Sequence, residues 1–166
     1  ALEALGIGPG DEVIVPGLTF QATASAVLDV NATPILADVD PDTYTLDPRA
    51  AEAAITPRTR CIIPVHLYGR IADMDAITAL AEKYNLFVLE DCAHQHGSRW
   101  KGRAVGSIGD IGSFSLQSYK ILSAGEGGIL TTKDERLYEL LRSLQNIGKP
   151  CRDGAPAMQS GNYRLS

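Results

Sequence analysis

Cysteine is scarce, positive charge is in deficit, and long apolar runs are missing. The 166 residues contain only Cys61, Cys92 and Cys151. An odd number, spaced far apart, does not make a disulfide frame and suits thiols kept reduced in a cytosolic compartment. The chain has 15 Lys and Arg against 20 Asp and Glu, a formal net charge of -5. The basic excess needed to grip a phosphate backbone is absent, which argues against a nucleic-acid partner. No apolar run approaches the roughly 20 residues that span a bilayer. The opening Ala1-Leu2-Glu3-Ala4-Leu5 has neither the basic region nor the cleavage pattern of a signal peptide, so membrane and export readings fall away. Position 1 also lacks a Met and opens inside an expected helix, so the chain reads as an excerpt. What remains, 45% hydrophobic and 21% charged, is the composition of a globular chain of single-domain size.

What is present is an alternation of short apolar runs with amphipathic stretches. Glu12 to Pro16, after the turn signal Gly8-Pro9-Gly10-Asp11, reads as a strand buried on both faces. Leu18 to Leu28 follows as a helix, with Phe20, Ala24, Val27 and Leu28 at helical spacing. Pro34 to Val39 reads as a strand, Pro48 to Ile55 as a helix capped by Asp47, and Arg60 to His66 as a further strand. Asp73 caps a helix with Met74, Ile77, Leu80, Ala81 and Tyr84 on one face. Leu86 to Leu89 is an apolar strand that stops at Glu90-Asp91. This alternation predicts an α/β fold, an open and mostly parallel sheet covered on both sides with right-handed crossovers. Ligands of such sheets bind beyond the carboxyl ends of the strands, where Asp91 falls. After Asp91 the alternation breaks. Ile111 to Leu116 and Gly127 to Thr132 are short strands with no helix between them, which predicts a hairpin-like return. Asp134 to Ile147 places Leu137, Leu140, Leu141, Leu144 and Ile147 on one stripe, ended by Gly148 and Pro150.

A carboxylate at the end of a buried strand must be hydrated, paired or bound to a cation to stay charged. For Glu90-Asp91 the partner could be magnesium, or Asp91 could simply cap the following turn. No Gly-x-x-x-x-Gly-Lys-Ser/Thr loop accompanies the pair, which weakens the magnesium reading. Cys92, His94 and His96 alternate and could bind zinc, sharing a face if the run is extended and dispersing if it turns. The corresponding function is a zinc-dependent hydrolase using Asp91, His94 and His96. Lys120 lies among small, hydroxylated and apolar residues, with Gly125, Gly127 and Gly128 allowing close approach to the backbone. Desolvation of such an amine prepares it to form a Schiff base, and the serines before it can donate to a phosphate. An acid at a strand end followed by a lysine in a Ser- and Gly-rich loop is what pyridoxal phosphate asks of a protein. The acid keeps the pyridine nitrogen protonated, the lysine holds the aldehyde, and hydroxyls take the phosphate.

On these residues the chain resembles the sugar aminotransferase family, the DegT/StrS group of fold-type I pyridoxal-phosphate enzymes. The resemblance runs through Gly8 to Pro16, Pro64-Val65-His66-Leu67-Tyr68-Gly69, Glu90-Asp91-Cys92-Ala93-His94, Gly109 to Ser115, and Lys120 with Gly125-Glu126-Gly127-Gly128. It implies that residues 1–166 are part of a three-layer αβα large domain, incomplete, lacking an N-terminal phosphate segment and a C-terminal small domain and inactive alone. It further implies that Lys120 carries the cofactor and that Asp91 pairs with its ring nitrogen. Phe20 would stack on the ring, Ala93 would pack close to it, and His94 would contact its phenolic oxygen. Ser115 would bind the phosphate, and Asn162 would reach the phosphate of a neighbouring subunit, which implies a homodimer. No metal is expected. The family's sugar 3-dehydratases carry histidine in place of the lysine, so Lys120 favours transamination. The implied reaction moves an amino group from glutamate or glutamine to a nucleotide-linked keto-sugar or a keto-cyclitol. The segments Phe114-Ser115-Leu116-Gln117 and His94-Gln95-His96-Gly97-Ser98-Arg99-Trp100 also resemble the branch that includes cyclitol aminotransferases and aminohydroxybenzoate synthases. An aminohydroxybenzoate synthase-like activity is therefore an alternative. A cytoplasmic location is expected throughout.

Overall fold

A computed structural model describes residues 1–150. The strands are β1 (Glu12–Pro16), β2 (Thr33–Ala37), β3 (Thr59–Ile62), β4 (Phe87–Asp91), β5 (Arg99–Trp100), β6 (Arg103–Ala104), β7 (Ile111–Ser115) and β8 (Gly128–Thr131). The helices are α1 (Ala22–Asp29), α2 (Pro48–Ala53), α3 (Met74–Tyr84) and α4 (Glu135–Gln145). One sheet has the order β2-β1-β3-β4-β7-β8. Its first five strands are parallel, and β8 runs back antiparallel to β7. This is the expected mostly parallel α/β sheet, with the expected hairpin at its end.

Alternation along the strands builds two cores. Val13, Val15, Cys61, Ile63, Leu89 and Ile111 pack with Val27 of α1, Leu137 of α4 and the turns bearing Leu2, Leu5 and Ile7. Ile14, Ile62 and Val88 face the other way, against Ala51 of α2 and Met74, Ile77, Leu80 and Ala81 of α3. Successive side chains of a strand point to opposite faces, so apolar runs such as Val13-Ile14-Val15 feed both layers at once. The three-layer arrangement follows from that patterning.

Several boundaries differ from expectation. The first helix begins at Ala22 rather than Leu18, because Leu18, Thr19 and Phe20 form a loop at the end of β1. The Thr19 hydroxyl lies 2.9 Å from that of Thr23. β3 stops at Ile62 because Pro64 has no N–H to continue a ladder. Its carbonyl accepts from Asp91, and Val65 makes an isolated parallel bridge with Asp91. β2 is shorter than expected and lies at the sheet edge, where Leu36 is 67% exposed. Ile147 lies past the end of α4 at φ 50 and is exposed, so it leaves the expected stripe. The β5–β6 hairpin was unforeseen. Its two-residue turn has Lys101 and Gly102 both at positive φ, the geometry that matches strand twist. Among the described residues, no helix is long and apolar enough to cross a membrane.

Candidate active site

Asp91 is the last residue of β4, at the carboxyl edge of the sheet, and is half-buried. Its Oδ2 accepts from the Thr23 hydroxyl at 3.0 Å, and its Oδ1 accepts from the Ala93 N–H at 3.1 Å. Thr23 is 6% exposed and ties the start of α1 to this carboxylate. Both donors are neutral, and among the described residues Asp91 makes no ion pair. A half-buried carboxylate with lone pairs to spare and no counter-charge beside it fits a cationic ligand.

Glu90 points to the other side of β4. It is fully buried and accepts from the backbone N–H of Gly106 at 2.9 Å, Ile108 at 2.8 Å and Gly109 at 2.8 Å. Its fourth partner is Nε2 of the fully buried His66, at 3.2 Å. The Ala72 N–H donates to Nδ1 of His66, so the proton is assigned to Nε2. Burial pushes the Glu90 carboxyl up, but the His66 and backbone donors outweigh it and hold the group below its ordinary range. Glu90 and Asp91, weighed together as a magnesium pair, are thus split across the strand.

The Cys-x-His-x-His run turns instead of extending, and its members disperse. Cys92 is buried, with Sγ 3.8 Å from the Glu90 carbonyl. His96 donates through Nε2 to the Ser115 carbonyl at 2.8 Å. His94 faces Tyr68, ring centroids 6.0 Å apart. Asp91, His94 and His96 therefore form no metal cluster. The one set at metal-ligand spacing among the described residues is His66, Glu90 and Cys92. Its acceptors are already taken by hydrogen bonds, and burial pushes the Cys92 thiol up, so this set is hydrogen-bonded core.

Lys120 lies in the loop between β7 and β8 and is half-buried. Its N–H donates to the Gln117 carbonyl at 2.9 Å, which turns the chain back. Among the described residues its ammonium makes no hydrogen bond or ion pair, while it lies in electrostatic range of His94. Burial, and then the Lys120 charge, hold His94 below its ordinary value of 6.5, against an opposing pull from Asp91. His94 is therefore neutral at neutral pH. Ser115 ends β7; its Oγ accepts from the Gln117 N–H at 3.3 Å, leaving the hydroxyl proton for another acceptor. Phe20 is 69% exposed in the loop after β1, next in sequence to Thr19 of the hydroxyl pair that ends on Asp91. Ala93 follows Asp91 and is half-buried. Asn162 lies outside the described residues. His94 thus lies in electrostatic range of both Asp91 and Lys120, with Ala93 just past the end of β4 and Ser115 at the end of β7.

Sequence reasoning overlooked Thr23, the Glu90 cage, Gln95 and Tyr68. No local signal marked the cage, because Glu90 stands beside Asp91 at the end of β4. Gln95 is 5% exposed. With its amide oxygen turned toward the donors, it accepts from Gly69 N–H at 2.9 Å and Arg70 N–H at 3.2 Å.

The DegT/DnrJ/EryC1/StrS aminotransferase family matches residues 1–166. The L-glutamine:scyllo-inosose aminotransferase of Streptomyces griseus is 58% identical over 152 residues, covering 92% of this chain and 36% of that protein. The solved aminotransferase of Psychrobacter cryohalolentis superposes with a TM-score of 0.89 at 46% identity, over 95% of this chain and 42% of that one. A 3-amino-5-hydroxybenzoic acid synthase superposes with a TM-score of 0.88 at 42% identity, over 94% of this chain and 42% of that one. The chain therefore spans roughly two fifths of the length of the proteins it matches. With a family match over its whole length on the αβα sheet described above, the chain belongs to the DegT/DnrJ/EryC1/StrS aminotransferase family.

Proposed function

We propose that residues 1–166 are part of the cofactor-binding large domain of a pyridoxal-phosphate-dependent aminotransferase, moving an amino group from glutamine to a keto-cyclitol. The observation that carries this reading is the Asp91, His94 and Lys120 set at the carboxyl edge of the sheet. Asp91 pairs with no cation among the described residues and suits a protonated ring nitrogen, the exposed face of Phe20 is free to stack, and the Ser115 hydroxyl has a proton to give a phosphate. Among the described residues the Lys120 amine makes no hydrogen bond or ion pair. When bound, pyridoxal phosphate supplies an aldehyde and an electron sink that let an amino group be parked between two substrates.

In this chain Thr23 and the Ala93 N–H hold Asp91 in place, so its charge would meet a protonated ring nitrogen without reorganising. Lys120 is the residue that would hold the aldehyde, and its amine, once released, would be the base placed to carry a proton. Neutral His94 is suited to a hydrogen bond with the ring's phenolic oxygen. Identity of 58% to a glutamine:scyllo-inosose aminotransferase supports glutamine over glutamate as donor and a keto-cyclitol over a nucleotide-linked keto-sugar as acceptor. Likeness to the aminohydroxybenzoate synthase, at 42% identity, supports the second reading. A homodimer belongs to the proposal, supported by Tyr119, Ile121 and Leu122, which leave apolar surface exposed around Lys120. A cytoplasmic location also belongs to it, supported by free, buried Cys61 and Cys92.

The test is borohydride reduction of the full-length protein with pyridoxal phosphate, followed by peptide mass mapping. A pyridoxyl adduct on Lys120 is expected; its absence from the complete protein would reject the assignment. Turnover of scyllo-inosose with glutamine separates the cyclitol reading from the synthase reading, whose product is an aromatic amine.

A further inference from the structure

Tyr68 has φ 49, a left-handed conformation that a bulky aromatic residue rarely adopts, and Gly69 continues it at φ 82. The turn is fastened from both sides. His66 sits in the Glu90 cage, its N–H donating to the Asp91 carbonyl at 3.0 Å. Gln95 holds the Gly69 and Arg70 N–H groups, and the Leu67 carbonyl accepts from Arg70 at 2.8 Å. Leu67 is 5% exposed, and these anchors over-determine the backbone on either side of Tyr68. The strain places a side chain that is 74% exposed and makes no hydrogen bond among the described residues. A strained backbone that displays an apolar ring to water gains nothing for folding. The ring's neighbour is His94, 6.0 Å away and in range of Lys120.

The geometry points to Tyr68 as an acceptor-positioning residue of the proposed aminotransferase. Its ring is a platform for the C–H face of a cyclic polyol, and its hydroxyl a partner for one of the polyol's own. Binding sites for small polar rings combine such an apolar wall with a few fixed polar groups. This inference rests on the functional reading above, because it takes the acceptor class from it.

The test uses the full-length protein and two variants. Tyr68→Asn removes the ring while keeping a residue that tolerates the left-handed backbone. Tyr68→Phe keeps the ring and removes only the hydroxyl. Single-turnover kinetics with glutamine and with scyllo-inosose give kcat/KM for each half of the reaction. In Tyr68→Asn the scyllo-inosose side is expected to fall at least about tenfold further than the glutamine side, chiefly through KM. Tyr68→Phe falls less than Tyr68→Asn on that side. The melting temperature of Tyr68→Asn stays within about 2 °C of the parent or rises, since the ring does not support the fold. Equal loss on both sides, no loss on either, or a melting temperature lower by about 5 °C or more overturns the proposal. Failure of the functional reading is told apart by the parent protein, in which Lys120 would then take no borohydride-trapped pyridoxal.

Discussion

Glu90 is a carboxylate sealed from water and supplied with four hydrogen-bond donors. Removing it strands three backbone N–H groups and the His66 ring in a dry site, and a broken buried network of this kind costs about 3–5 kcal/mol. Glu90→Ala is therefore expected to lose stability on that scale in urea unfolding, with Glu90→Gln losing less. The pH dependence has a definite sign. Because its folded value is depressed, Glu90 contributes stability that is present above the ordinary 4.5 and is lost as pH falls through the folded value. Asp91 and Lys120 could be read from sequence because a charge at the end of an apolar strand, or alone in a hydroxyl-rich loop, demands a partner. Glu90 could not be read so, because adjacency in sequence suggested a shared site. The pleat of β4 sends the two carboxylates to opposite sides, one into a cage and one to the carboxyl edge.

At the scale of elements, β7 is pressed against the loop that caps Glu90. A Cβ on Gly112 would lie 2.6 Å from the Gly106 carbonyl oxygen and 2.6 Å from the Thr131 hydroxyl. Neither a backbone carbonyl nor a hydrogen-bonded threonine can retreat cheaply, since Thr131 Oγ1 donates to that same oxygen at 2.5 Å. Overpacking of this sort costs about 1–3 kcal/mol or more. Gly112→Ala is expected to lower the melting temperature and the soluble yield; an unchanged melting temperature would contradict the close packing described. The centres of the strands and helices were legible because their apolar periods are strong. Their ends were not. Thr19 and Phe20 continue the helical period of α1 yet lie in the loop at the end of β1, and Pro64 ends the β3 ladder while Val65 still pairs with Asp91. The β5–β6 hairpin escaped because four paired residues carry no period, and only Lys101-Gly102 hinted at a turn.

At the scale of the whole molecule, both described cysteines are closed inside the structure. Cys61 is fully buried in the core with Val27 of α1 and Leu137 of α4, and Cys92, next to Asp91, is fully buried as well. Burial pushes both thiols far above their ordinary range, so neither supplies the thiolate that reacts. Mass mapping after treatment with a thiol reagent at pH 8 is expected to find Cys61 and Cys92 unmodified in the native protein and modified after unfolding. Rapid native labelling of either would contradict this packing. The three layers, the parallel strands and the terminal hairpin were legible at this scale, because two-faced apolar strands admit few arrangements. Which loops converge at the carboxyl edge was legible only for Asp91 and Lys120; the supporting contacts from Thr23, Gln95 and Tyr68 arise from chain crossings that no local pattern announces. The loop holding Lys120 is fastened at its mouth, where Leu116 and Gly127 pair, while Tyr119 and Ile121 on either side of the lysine are 93% and 85% exposed. Trypsin-type proteases read a free lysine charge, so this loop turns chemical occupancy of one amine into a difference in cleavage. The residue proposed to carry the cofactor thereby reports its own loading through the integrity of the backbone beside it.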